Sequence, residues 1–135
     1  MRELLPSLLW VAVGSSGGGA ARFLISGVVA RAIGETFPWG TLVVNVSGAL
    51  AIGVLAASSG HAGLMSRPEA WPLAATGFLG SYTTVSSFSL QTLTLARDGE
   101  WLKAIGNILL SLLLCLSAVT LGIVAASAAF AGGTA

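Results

Sequence analysis

The sequence predicts an all-α integral membrane protein with four transmembrane helices, the third broken in mid-span. Three observations carry this. Of 135 residues, 55% are hydrophobic and 8% charged, and the mean hydropathy is +0.91, whereas soluble domains carry about 25% charged residues. The charges are bunched, leaving 4–21, 36–66, 70–96 and 104–135 uncharged apart from His61. The apolar runs also do not alternate: 109–116 reads LLSLLLCL, unlike a strand of a membrane barrel. Since roughly 20 apolar residues cross the hydrocarbon core, helices are expected at about 4–32, 39–59, 71–96 and 101–130 of a single domain, 1–135.

The same numbers exclude other classes. Six Lys+Arg against five Asp+Glu leave no basic patch for nucleic acid. The single cysteine, Cys115, excludes an intrachain disulfide and a Cys-rich metal site. His61, the only histidine, falls in a loop where it reads as solvated, and no acid accompanies the Thr/Ser run, so a catalytic triad is not expected. The N-terminus resembles a signal peptide only weakly, because Glu3 interrupts its basic start, and cleavage is not expected.

In the first helix Gly14, Gly18 and Arg22 recur every four residues and share one face. The glycines let another backbone approach closely. Arg22 on that stripe reads either as an interfacial anchor or as a fixed positive charge drawing anions into a vestibule. The turn Gly34-Glu35-Thr36-Phe37-Pro38 leads to the interfacial Trp39. The second helix places Thr41, Asn45 and Gly48 on one face. A mid-membrane asparagine bridges helices or lines a polar path. After a Gly- and Ser-rich loop over 58–68, residues 77–89 hold two glycines and six Ser/Thr hydroxyls. Glycines followed by the β-branched Thr83 and Thr84 make a poor continuous helix. A break there frees backbone carbonyls and amides, which at bilayer depth need protein, water or an ion as partner. The alternative is a kinked helix whose hydroxyls bond back to their own turn. Arg97-Asp98-Gly99-Glu100 forms a tight connection to the fourth helix, where Asn107, Ser111 and Cys115 repeat at four-residue spacing.

No Asp or Glu lies within the expected spans. Proton-coupled carriers and cation channels use such groups. Hydroxyls, asparagine amides and Arg22 instead offer donors without negative charge, which suits an anion, and the ring edge of Phe88 is favourable to one as well. On orientation, the ends and loops divide Arg2 and Arg67 on one side from Arg31, Arg97 and Lys103 on the other, with Arg22 just inside. A bias this small leaves both orientations open, and with them antiparallel pairing.

These residues resemble the fluoride channel family, Fluc or CrcB. Gly14-x-x-x-Gly18-x-x-x-Arg22-Phe23 looks like its first-helix signature. Gly40-Thr41-Leu42-x-x-Asn45-x-x-Gly48-x-x-x-x-Gly53 looks like the second. Gly77-Phe78-Leu79-Gly80-x-x-Thr83-Thr84-x-Ser86-x-Phe88-Ser89 is similar to the third and most specific, and Asn107-x-x-x-Ser111 fits the fourth helix. The resemblance implies a dual-topology antiparallel dimer, in a bacterial inner membrane, whose two pores pass fluoride out of the cell passively and reject chloride. It implies a fluoride pathway through Asn45, Phe88, Thr41, Asn107, Ser111, Thr84, Ser86 and Arg22. It also implies a structural sodium ion at the dimer centre, on the backbone carbonyls of Gly80 and Thr83. Two positions depart from the family pattern: Val85 stands at the first of two phenylalanines, and Gln91 at a common glutamate. A subunit that pairs with a paralogous chain, or one that does not conduct, is the alternative these departures allow. A small multidrug exporter is remote, since it needs a carboxylate inside the membrane.

Overall fold

A computed structural model describes residues 4–59 and 67–132 of the chain. Those residues form helices and short connections, with no strand among them. The expectation for His61, and for most of the loop around it, lies outside the described residues. Helix α1 runs Leu4–Ile33 and α2 Trp39–Ser58. The next segment, α3, is a π-helical stretch Pro72–Leu79 followed by one α turn, Gly80–Tyr82. Then come α4, Val85–Arg97, and α5, Trp101–Gly132.

Each end has a local cause. Helix α1 stops at Gly34, whose φ of 96° suits only glycine, and its N–H closes onto the Ala30 carbonyl at 2.8 Å. Helix α4 stops at Gly99, φ 80°, where the Glu100 N–H reaches back to the Leu95 carbonyl at 2.8 Å and satisfies an end carbonyl. The third expected helix is the one that fails to run through. Thr83 and Thr84 are both extended, with φ/ψ of −78°/159° and −151°/123°. Thr84 then caps α4 by accepting the Ser87 N–H on its hydroxyl at 3.2 Å. The break therefore lies just after the glycines that suggested it, at the β-branched pair.

Among the described residues, three helices are long and apolar enough to cross a membrane: Leu5–Ile33, Trp39–Ser58 and Trp101–Ala131. Their most apolar windows are only 11%, 33% and 6% buried within the chain. Most side chains of the first and third of these helices are exposed, which requires an apolar surrounding. The protein is a membrane protein on these grounds. Helices α3 and α4 are each too short to span by themselves.

Packing is dominated by backbone approach. A side chain at Gly14 would meet the Leu73 carbonyl, with the Phe78 nitrogen at 2.8 Å and the Gly77 Cα at 3.1 Å. One at Gly18 would meet the Phe78 carbonyl. The Gly14/Gly18 face of α1 therefore lies directly on the α3 backbone, as small-residue contacts in membranes do. Hydroxyls stitch the pair together, Ser81 donating to the Ser15 carbonyl at 2.7 Å and Ser15 to the Gly77 carbonyl at 3.4 Å. Helices α2 and α5 cross in the same way at Gly53 and Gly122. The small core lies where α2 meets α3: Val44 is fully buried against Leu79 and Tyr82. The ring of Tyr82 stacks on Phe78 with centroids 5.8 Å apart, and its hydroxyl bonds Ser47 at 2.8 Å.

The α1–α3 contact predicts a large effect from one methyl group. Gly14→Ala should lower the stability of the purified protein by about 1–3 kcal/mol, because only backbone can yield. Gly19→Ala, which meets nothing within 4 Å, should leave it nearly unchanged. Thermal melts in detergent compare the two.

Candidate functional site

The break is built from three elements. Asn45, midway along α2, pairs with Thr84 twice, its Nδ2 donating to the Thr84 carbonyl at 2.9 Å and its Oδ1 accepting the Thr84 N–H at 2.8 Å. One side chain thus takes the place of a neighbouring strand for a single extended residue. Gly48, one turn on, keeps α2 close, since a Cβ there would meet the Thr83 methyl. From α1, Arg22 Nη1 lies 3.4 Å from the Thr83 carbonyl oxygen.

The break releases the carbonyls of residues 80–83 from the donors of a continuous helix, and for two of them the structure shows where the donor has gone. In a continuous helix the Thr84 N–H would donate to Gly80 and the Ser87 N–H to Thr83. Here the first goes to Asn45 and the second to the Thr84 hydroxyl. The Gly80 and Thr83 carbonyls are left without those partners, one at the start of the Gly80–Tyr82 turn and one just past its end. Two uncharged, hard oxygens of this kind suit a small hard cation. Among the described residues no cluster of His, Cys, Asp or Glu could hold a metal, so a cation here would rest on backbone oxygen.

Beside the break, a cavity of about 390 Å³ is lined by Asn45, Thr84, Val85, Phe88, Ser111 and Cys115 together with aliphatic side chains of α5. No carboxylate lines it. The amide of Asn45 spends one of its two hydrogens on Thr84 and keeps the other. The Ser111 hydroxyl has no partner among the described residues. Phe88 contributes a ring, while Val85, 76% exposed, projects away from its own chain. A second cavity of about 450 Å³ lies between the end of α1 and the start of α2, where Ser26, Glu35, Trp39, Thr41, Ser87 and Gln91 contribute.

The structure therefore brings Asn45, Thr84, Phe88 and Ser111 together and sets the other sequence candidates elsewhere. Thr41 is buried and belongs to the second cavity, one turn from Asn45. Asn107, 1% exposed, lines neither cavity and donates to the Thr92 hydroxyl at 2.8 Å. Ser86 is exposed beside the Thr84 hydroxyl, 3.1 Å away. Arg22 sits at the break rather than in either cavity. The sequence reading did not single out Thr92, Ser47 or Ser15, whose hydroxyls tie helices together, and nothing in their spacing separates them from ordinary surface hydroxyls. The side-chain amide oxygen of Gln91, Oε1, is buried without a hydrogen-bond partner, which no sequence pattern signals.

A glycine-packed first helix, an asparagine-bridged break and a carboxylate-free, largely apolar cavity coincide with the three motif blocks. Residues 9–123 match the profile of the family described as CrcB-like protein, Camphor Resistance (CrcB). The chain belongs to the CrcB-like family. Among similar proteins, one of Rhodopseudomonas palustris named fluoride-specific ion channel FluC 2 is 66% identical over 128 residues, covering 93% of this chain and 97% of the relative. A protein of Bradyrhizobium diazoefficiens with the same name is 57% identical over 120 residues, 88% of each chain. The fluoride-specific ion channel FluC of Opitutus terrae is 51% identical over 119 residues, 87% of this chain and 90% of that one. Family membership covers the whole of the break and both cavities.

The pairing of Asn45 with Thr84 has a direct readout. Asn45→Ala removes two hydrogen bonds from a half-buried backbone, about 1–3 kcal/mol together. Hydrogen exchange at the Thr84 amide should then quicken by roughly tenfold or more, while amides in the middle of α5 keep their rates.

Proposed function

We propose that this protein is a fluoride-selective channel, a passive pathway and not an enzyme, that lets fluoride leave the cell across the inner membrane. The observation that carries the reading is the largely apolar cavity beside the break, lined by Asn45, Ser111 and Phe88 and by no carboxylate. Relatives up to 66% identical carry the name fluoride-specific ion channel. Fluoride holds its water tightly, so a path for it must supply closely spaced donors in place of that water, and several weak sites rather than one strong one. Chloride is larger and fits the same donors less well. Thr41, Thr84, Ser86, Asn107 and Arg22 belong to the proposed pathway with Asn45, Phe88 and Ser111.

The functional unit in this reading is an antiparallel homodimer in which α3 and α4 together make the third of four spans in each copy. Two carbonyls per chain, Gly80 and Thr83, are too few for a sodium ion, but two copies meeting at the break would supply four. The fit is chemical: both oxygens are uncharged, hard and released from their helical partners. When bound, sodium supplies positive charge at the dimer centre and ties the two breaks together. The chain's own residues hold the break open, Asn45 by its pairing and Thr84 by capping α4. Val85, exposed where the family pattern has phenylalanine, supports a second form of the reading, in which a paralogous subunit completes the pore.

Efflux from liposomes tests this. Vesicles holding the purified protein are loaded with potassium fluoride or potassium chloride, and valinomycin balances charge while an ion-selective electrode follows release. Fluoride should leave rapidly and chloride should stay. Release of neither from intact dimers would refute the homodimeric channel and favour the paired subunit.

A further inference from the structure

Among the described residues Arg22 is the one charged side chain at the break, and what it touches is an oxygen needed for something else. Its guanidinium lies 3.4 Å from the Thr83 carbonyl, long for a hydrogen bond, so the contact is mainly electrostatic. The position is forced from both sides. Gly14 and Gly18, on the same face of α1, bring that helix onto the α3 backbone. The Ser87 N–H that would otherwise take the Thr83 carbonyl is held by the Thr84 hydroxyl at 3.2 Å. Among the described residues no carboxylate pairs with Arg22. A full positive charge thus rests on one of the two carbonyls proposed for sodium, in a half-buried site where solvent screens it weakly.

We propose that Arg22 and a sodium ion compete for the Thr83 carbonyl oxygen: the guanidinium covers it in the ion-free chain and swings away when the site is filled. This rests on the sodium reading above and adds a residue that sets the affinity of the site. The argument is one of like charges at close range. Two positive charges sharing one oxygen repel strongly enough to shift an equilibrium by about tenfold or more, even at an effective dielectric constant near 20. The guanidinium's single long contact makes it the partner that gives way. Linkage requires the reverse effect as well, so that sodium must loosen Arg22 by the factor that Arg22 weakens sodium. Arg22 also anchors the following turn, where Ser26 donates to its backbone carbonyl at 2.7 Å, so the backbone stays in place while the side chain moves.

Two measurements on the dimer in detergent test this, with sodium chloride replacing potassium chloride at constant ionic strength. In the unmodified protein, phenylglyoxal labelling of Arg22, followed by mass spectrometry of its peptide, should speed up several-fold as sodium is added. Labelling of Arg97, which is exposed at the end of α4, should not change. In Arg22→Gln, the sodium concentration giving half the maximal rise in melting temperature should fall about tenfold. Labelling of Arg22 that is flat or slower in sodium overturns the proposal whether or not the variant folds, and so does an unchanged or higher sodium midpoint in the variant. If sodium fails to raise the melting temperature of the unmodified protein, the sodium site itself is wrong and the competition falls with it. If sodium stabilises but both Arg22 readings stay flat, only the competition is wrong.

Discussion

An extended backbone in an apolar surrounding must find a partner for every amide and carbonyl, and that constraint organises this protein. At Thr83 and Thr84 the helical ladder stops, and residues of two other helices answer the polar groups freed at these two threonines. Asn45 of α2 takes both polar groups of Thr84, and Arg22 of α1 faces the carbonyl of Thr83. The break is therefore a junction, and it holds only while α1, α2 and α3 keep their spacing. Leaving one such group unpaired costs about 1–3 kcal/mol, a large fraction of the stability of a small protein.

The spacing comes from glycine and from the π-helical stretch. Gly14 and Gly18 let α1 rest on the backbone of Pro72–Leu79, and Gly48 lets α2 approach the Thr83 methyl. A π-helical turn is wider than an α turn and is frequent at functional sites. Here it ends one turn before the break, so the carbonyls of Gly80 and Thr83 lie at the start of the short α turn and just past its end. Fold and site are thus one arrangement: the contacts that pack the helices also decide which oxygens are free.

Much of this was legible in the sequence. The long uncharged stretches gave α1, α2 and α5 to within a few residues, because hydropathy and length alone decide what can cross a bilayer. The run from Gly77 to Thr84 marked the break, because glycine and paired β-branched residues weaken a helix by local physics. Partner choice was not legible. Asn45 and Thr84 are 39 residues apart, and helical period says only which face Asn45 occupies, not that both its polar groups are committed. The same limit separated Thr41 from Asn45: one face of a helix can serve two cavities when another element crosses between them. Asn107 likewise read as part of a polar stripe with Ser111, yet its hydrogen bond goes to Thr92, a threonine with no distinguishing pattern. The π geometry of Pro72–Leu79 was not legible either, since hydropathy and helical period do not distinguish a π turn from an α turn.

The central claim is that the break frees the Gly80 and Thr83 carbonyls to hold a cation between two copies of the chain. Carbonyl carbon shifts of these two residues, measured by solid-state NMR on labelled protein in lipid, test it most directly. Replacing potassium by sodium should move both resonances and leave carbonyls in the middle of α2 and α5 where they were. Resonances that stay fixed at both positions would contradict the account, because the released oxygens would then have no ion to serve.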